Sequence, residues 1–216
     1  MNATDPNRHI TVPLAGHTAG RLEFRRGASS VVIRADAAMP DLLRGDFEGR
    51  VPDVEVEGDT VVIRYQGLAE RARSGFPFLG GPGDAHLALN ASLPWQVEVR
   101  GGASNVDADL RGLRLTGLEI HGGASNITLQ LGEAAALVPV RVHGGASQVA
   151  IRRPPATSVR ASVRSGLSAM TMDDQQFGAV SGPAVLHTSG WTGVAGYDVE
   201  VTGGASQLTV TTSEPE

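Results

Sequence analysis

Hydrophobic and polar residues alternate along most of the chain, and a Gly-Gly-Ala-Ser tetrapeptide interrupts the alternation at regular intervals. In the stretch VPVRVHGGASQVAI, Val140 and Val142 precede the glycines, and Val149 and Ile151 follow the serine. Alternation with period two is typical of β-strands with one buried face, and glycines permit sharp bends that other residues resist. The pattern therefore predicts pairs of short strands joined at GGAS corners.

Copies of this unit recur through the sequence, and their starting residues are Leu22, Val97, Leu118, Val138, Val159 and Val199. Ala103, Ala124, Ala146 and the equivalent Leu167 are separated by 21, 22 and 21 residues. A period in this range is typical of solenoids. We therefore predict an all-β, single-stranded β-solenoid (β-helix) with rungs of about 21–22 residues. A third short strand is expected in each coil, in LRLTG from Leu113 and from Pro155 to Ser158.

One domain over residues 1–216 is the simplest organisation for such a repeat. The segment AERARSGFPFLGGPGD, about residues 69–84, breaks the alternation and is interpreted as an irregular insertion loop carrying Phe76 and Phe78. Between Ala28 and Ala103 there is room for about two further rungs, one of them a hairpin at Gly58-Asp59. The N-terminal stretch and residues 211–216 are expected to be caps or frayed ends.

The amino-acid composition argues against several classes of function. The net charge is −5, and all 18 basic residues are arginines, so the chain has no dense basic footprint for nucleic acid. Cysteine is absent, which excludes disulfides, thiolate metal ligands and a cysteine nucleophile. No signal-peptide pattern and no long apolar run occur, so we expect a cytoplasmic chain without direct membrane insertion.

The serial strand, Gly-Gly-Ala-Ser-Asn and strand units resemble the bacterial putative-adhesin or toastrack β-solenoid domains, relatives of the C-terminal domain of cell-wall-stress response proteins. The resemblance extends from about Leu22 to Val210 and is strongest from Leu87 onward. It implies a binding or scaffolding module of the cell envelope, linked to envelope stress or surface adhesion, usually tethered to a membrane segment and without catalytic residues. No tether is recognisable in this sequence.

Stacked rungs turn equivalent positions into surface columns. One outward column contains Arg100, His121, His143 and Arg164, and the column two residues earlier is mainly acidic. Pairing of opposite charges between strands is the simpler interpretation. The more specific functional interpretation is a docking face for an anionic partner. His121 and His143 could share a metal ion, but two ligands make a poor site and no spacing identifies a third. Glu119 is one candidate.

Other repeated polar residues are interpreted structurally. Serines at every corner are typical turn residues, and the neighbouring Asn and Gln residues form a partial amide ladder. No catalytic residue, cofactor or metal is predicted. The hypothesis is a noncatalytic scaffold or protein-interaction module, with the column or the Phe76 and Phe78 loop as docking site. Self-association is possible. The alternatives are a self-assembling, bactofilin-like filament protein and, less favoured, a metal-dependent activity at the histidine pair.

Overall fold

The computed structural model describes residues 8–25, 28–49, 51–65, 83–101, 103–179, 181–203 and 205–213. Phe76, Phe78 and nearly all of the predicted insertion lie outside these residues. Within them the chain is all-β, with no helix and 19 strands: β1 Arg8–Pro13, β2 Gly20–Arg25, β3 Ser30–Asp36, β4 Asp41–Glu48, β5 Asp53–Glu57, β6 Thr60–Arg64, β7 Asp84–Asn90, β8 Pro94–Arg100, β9 Ala103–Leu110, β10 Arg114–His121, β11 Ala124–Leu131, β12 Leu137–His143, β13 Ala146–Arg153, β14 Val159–Val163, β15 Leu167–Met172, β16 Gln175–Phe177, β17 Ala184–His187, β18 Gly196–Val201 and β19 Ala205–Thr212.

These strands form two mixed sheets. Sheet A has ten strands in the order β1-β4-β7-β3-β9-β11-β13-β19-β15-β16, and sheet B has nine in the order β17-β14-β18-β12-β10-β8-β2-β6-β5. Each copy of the repeat contributes one strand to each sheet, because the glycines between them redirect the chain. The middle of each sheet is parallel, and antiparallel pairs lie towards both ends.

Equivalent residues of the repeat pair directly across the parallel strands. In sheet B, Ile120 lies between Val99 and Val142, and in sheet A, Ile127 is the direct partner of Val149. All five side chains are buried in one hydrophobic core. The alternating valines and isoleucines therefore build the interior between the sheets, as the sequence pattern predicts.

The order of the repeats in space differs from their order in the chain. The first copy, β2 and β3, pairs directly with β8 and β9, so no rung separates them. The intervening strands extend the sheets outward instead: β7 and β4 lie beyond β3, and β6 and β5 lie beyond β2. β1, which precedes the first copy in the chain, pairs with β4 at the edge of sheet A. The Gly58-Asp59 turn does join β5 and β6 as a hairpin.

At the other end, the last copy inserts itself between two earlier ones. Strands β18 and β19 pair with β12 and β13 on one side and with β14 and β15 on the other. The copy from Val159 therefore lies outermost. The chain can reach this arrangement because β16 and β17 first turn back antiparallel along the edges.

The expected third strand of each coil is not a separate element. LRLTG continues directly into β10, with a register shift between Leu115 and Gly117. At this irregularity the Thr116 hydroxyl donates a hydrogen bond to the Trp95 carbonyl, 2.9 Å away. Pro155 and Ala156 form a turn before β14. No residue in LRLTG forces a bend, so one long strand replaces the two that were predicted.

The corner glycines are required by both conformation and contact. Gly101, Gly122 and Gly144 have φ angles of 89°, 105° and 114°, a region that side chains disfavour. A Cβ atom on Gly144 would also lie 2.8 Å from the Gly122 carbonyl oxygen of the neighbouring corner. The corners thus stack backbone against backbone.

Among the described residues, the structure contains no helix that is long and apolar enough to cross a membrane.

Candidate functional site

The last residues of three adjacent strands of sheet B form an outward-facing row, which we call the histidine column: Arg100 of β8, His121 of β10 and His143 of β12. They are in direct register, and each immediately precedes a corner glycine. The imidazoles of His121 and His143 stack with centroids 4.6 Å apart and planes inclined by 20°. The strand spacing of a β-sheet, about 4.8 Å, sets this separation. The sequence pattern therefore places these three residues together as expected.

Arg164 belongs to the same row but does not adjoin His143, because β18 lies between β12 and β14. Thr202 fills the intermediate place, with its Oγ1 atom 3.2 Å from His143 Nδ1. One sequence signal could have indicated this order: the copy from Val199 has a complete GGAS corner like the copies from Leu118 and Val138, whereas the copy from Val159 has Ser-Gly-Leu-Ser. In the structure a Cβ on Gly203 would lie 2.0 Å from the Gly144 carbonyl oxygen, so the stacked corner requires glycine at this position.

Glu98 lies beneath the column, and its burial is a feature that the alternation did not predict. Alternation puts it on the outer face, yet only 2% of its side chain is exposed. Arg21 Nη2 lies 3.1 Å from its Oε2 atom, Arg100 Nε pairs with its Oε1 atom, and His121 Nε2 lies 3.3 Å from that same oxygen. Long basic side chains from both sides thus cover the carboxylate.

Burial raises the pKa of the Glu98 carboxyl, but the hydrogen bonds from Arg100 and Arg21 outweigh it. The pKa therefore lies below its ordinary value of 4.5, and Glu98 is ionised at neutral pH. The Arg100 guanidinium is correspondingly held in its charged form. Its charge is already balanced by Glu98 within the fold.

Glu119 occupies the place next to Glu98 in the acidic row and bonds to the column itself. Its Oε2 atom is 3.0 Å from His121 Nε2. Potential ligand atoms of Glu119, His121 and His143 all lie within 4.8 Å of one another. Among the described residues this is the one group of three acidic or histidine side chains close enough to share a metal ion.

Further along the face, Asp198 of β18 lies between two arginines. Arg141 Nη2 is 2.8 Å from one carboxylate oxygen, and Arg160 Nη1 is 2.7 Å from the other. Burial raises the pKa of Asp198, but the hydrogen bonds from Arg160 and Arg141 outweigh it and hold the pKa below 3.8. Glu200 similarly pairs with Arg164, 2.5 Å away. Arg141, Arg160 and Arg164 are thus neutralised by two carboxylates of the adjacent strand β18.

The outer face of sheet A carries the predicted amide ladder in part. Asn126 Nδ2 donates to Asn105 Oδ1 at 2.9 Å, and Gln148 and Gln207 continue the row in register. On the same face, Asp107 forms an ion pair with Arg34 at 2.8 Å. Both features match structural rather than chemical roles.

Comparison with known proteins agrees with this architecture. The model of a family described as the N-terminal domain of toast_rack, DUF2154, matches residues 1–152. No curated protein matches the chain.

Among solved structures, a putative cell adhesion protein from Clostridium sporogenes ATCC 15579 is similar, with 18% identity, a TM-score of 0.72, and coverage of 96% of this chain and 99% of that one. A putative adhesin from Bacteroides fragilis NCTC 9343 has 8% identity and a TM-score of 0.28 over 96% of both chains. The Clostridium structure shows that the same overall fold occurs in another protein.

Proposed function

Because the chain belongs to the toast_rack N-terminal domain family, we propose that it is a noncatalytic recognition module, built as one β-solenoid domain, that binds a protein partner through the outer face of sheet B. The parallel register of equivalent repeat residues supports the solenoid. So do the stacked corners at Gly122 and Gly144. The process in which we place this module is surface adhesion or the response to envelope stress. The Clostridium protein with the same fold is described as a cell adhesion protein.

The observation that carries the proposal is the ordered charge pattern of this face. Arg100, His121 and His143 stand in one row, held from below by Glu98 and from the side by Glu119 and Thr202. Side chains that are fixed before binding lose less conformational entropy when a partner docks. Arg100 and Arg164 keep 53% and 69% of their side chains exposed, so both can still reach a partner's carboxylates.

The sheet edges support a discrete module over the filament alternative. Strands β1, β5, β16 and β17 end the two sheets, and each pairs antiparallel with its neighbour. β5 has the sequence DVEVE, with three acidic residues, and β16 and β17 have only three and four residues. Charged or very short edge strands discourage the addition of further strands. In the described part of the chain, no edge strand gives comparable support to filament growth by addition of one molecule to the end of another.

Charge reversal tests the docking face. Proteins of the source organism captured by the wild-type chain are compared by quantitative mass spectrometry with those captured by the Arg100→Glu/Arg164→Glu variant. A partner that uses this face should fall by about tenfold or more, since like charges brought together at an interface are strongly unfavourable.

The matched control is Arg34→Glu/Arg44→Glu, which changes the net charge equally and alters two ion-paired arginines of sheet A. A partner retained by this control and lost by the sheet B variant supports the proposal. Equal capture by both variants, or equal loss, contradicts it.

A further inference from the structure

Glu119, His121 and His143 bring two stacked imidazoles and a carboxylate together on the outer face of sheet B. Glu119 and His121 are two residues apart on β10 and therefore share its outer face, while His143 is the register partner of His121 on β12. The sheet itself thus brings the three side chains together. Their positions are set by strand pairing rather than by a loop.

The donor types match one class of ion. Imidazole nitrogen suits zinc, copper and nickel, and two imidazoles with one carboxylate form a ligand set found for zinc in proteins. Bonds of about 2.0–2.2 Å place neighbouring ligand atoms of a tetrahedral site roughly 3.3 Å apart. The candidate atoms already lie within 4.8 Å of one another. Since the stacked rings are inclined by only 20°, at least one imidazole must rotate so that both lone pairs point at a shared ion.

One neighbouring side chain is placed to orient a donor. Thr202 Oγ1 contacts His143 Nδ1 at 3.2 Å, which leaves the other nitrogen of that ring for a metal ion. Outer-shell partners that contact the second nitrogen of a histidine orient that ligand in metal sites. Glu98 Oε1 also lies close to the donors, 3.3 Å from His121 Nε2, but its charge is already engaged by Arg21 and Arg100.

Neighbouring arginines would repel a cation if their charges were unbalanced. Arg100 is paired with Glu98, and Arg141 is paired with Asp198 and Glu200. Glu119 Oε2 lies 3.0 Å from His121 Nε2. A metal ion bound between these two side chains would therefore leave the arginine pairs undisturbed.

We propose that Glu119, His121 and His143 bind one divalent transition-metal ion of the zinc class on the outer face of sheet B. Three protein ligands leave coordination positions open. Since 35% of the His121 side chain and 36% of the Glu119 side chain are exposed, those positions face solvent, where water or a ligand from another molecule completes the shell. This inference does not depend on the protein-docking role proposed above.

Zinc titration of the untagged full chain, followed by calorimetry, tests the site. Saturable binding of one Zn²⁺ per chain is expected, and Co²⁺ should give the intense visible absorption of low-coordinate nitrogen and oxygen ligation. Glu119→Gln, His121→Ala and His143→Ala should each weaken Zn²⁺ binding by more than about tenfold, the lower end of the effect of losing even an outer-shell partner.

His187→Ala is the matched control, because it removes an exposed imidazole from β17, outside the proposed site. Its Zn²⁺ affinity should equal that of the wild type. Glu119→Gln keeps the shape of the side chain and both imidazoles. It therefore tests the site even if circular dichroism shows that a histidine variant does not fold. Absence of saturable binding, or binding that the site variants leave unchanged, overturns the proposal.

Discussion

The outer faces of the two sheets are built from the same repeat, yet they differ in chemistry. Across β11, β13 and β19, sheet A presents mainly neutral side chains such as Asn126, Thr128, Gln148 and Thr209. Across β8, β10, β12 and β18, sheet B presents acidic residues beside arginines and histidines. Inward residues must pack, whereas outward residues are free to diverge. This difference is the reason why we propose sheet B as the face that carries the function.

The two faces also stabilise the stack differently. The outer face of sheet A connects rungs with exposed contacts, such as the Asn126–Asn105 hydrogen bond and the Arg34–Asp107 ion pair, while sheet B uses carboxylates that are covered by arginines, such as Glu98 and Asp198. Removing one partner of a charged pair that is partly shielded from water costs more than breaking an exposed pair, because the remaining charge is left without its counter-ion. We therefore expect substitutions in sheet B to cost more stability than those in sheet A, and substitutions in the shared corners to cost most.

Gly144→Ala should have the largest effect, because this corner joins the two faces. Its φ angle is 114°, and the new Cβ atom would lie 2.8 Å from the Gly122 carbonyl oxygen. Backbone strain and the displaced neighbour together should lower the free energy of unfolding by about 3 kcal/mol. Urea denaturation followed by circular dichroism measures the change.

Gly190→Ala separates the two causes. Gly190 also has a positive φ, 79°, but a Cβ atom there would have open space. It should cost only the conformational strain, about 1 kcal/mol. An equal loss in both variants would mean that contact between stacked corners contributes nothing.

Asp198→Asn should cause the next largest loss of stability, and it tests whether the two sheets differ in their charged contacts. At neutral pH it removes the charge that Arg141 and Arg160 share, at a cost of about 2 kcal/mol, typical of hydrogen bonds to charged groups. Since the pKa of Asp198 is lowered in the folded chain, its contribution is fully present above the unfolded value near 3.8 and disappears as the pH falls through the folded value. The difference between wild type and variant should thus vanish in acid.

The counterpart in sheet A is Asp107→Asn. The Arg34 and Asp107 side chains are 43% and 42% exposed, so the loss of this pair should cost only about 0.5 kcal/mol. Urea unfolding at a series of pH values compares the two variants directly. A cost for Asp107→Asn as large as that for Asp198→Asn would remove the proposed difference between the faces.

The amide ladder should contribute least. Asn126→Ala removes the exposed hydrogen bond to Asn105 and should lower the free energy of unfolding by about 0.5 kcal/mol. A double-mutant cycle with Asn105→Ala isolates the pair from other effects of truncation. A coupling energy above about 1.5 kcal/mol would show that the ladder, rather than the charged face, stabilises the stack.

Much of the fold could be predicted from the repeat. Val140, Val142, Val149 and Ile151 are buried as the alternation requires, and Gly144 has the positive φ that its place between strands demands. The row of Arg100, His121 and His143 also follows, because equal spacing in consecutive units places residues in register. Local periodicity was sufficient for these features, since it reports on strand, face and bend.

Neither the order of the copies nor the surroundings of the column could be read in the same way. Periodicity does not say which strands become neighbours, so it could not place β18 between β12 and β14 and thereby separate Arg164 from His143. Alternation likewise put Glu98 outside but not under Arg21 and Arg100. Burial of an outward residue depends on which long side chains lie over it.

By itself, then, the sequence determined the repeating strand pair, its core positions and the glycine corners, because steric limits and hydrophobic burial act on each unit alike. Only the tertiary structure decided the stacking order, the antiparallel edges and the contact of Glu119 with the histidine pair. These depend on hydrogen bonding between strands that are distant in the chain, and on rotamers that are selected only once the neighbouring strands are in place.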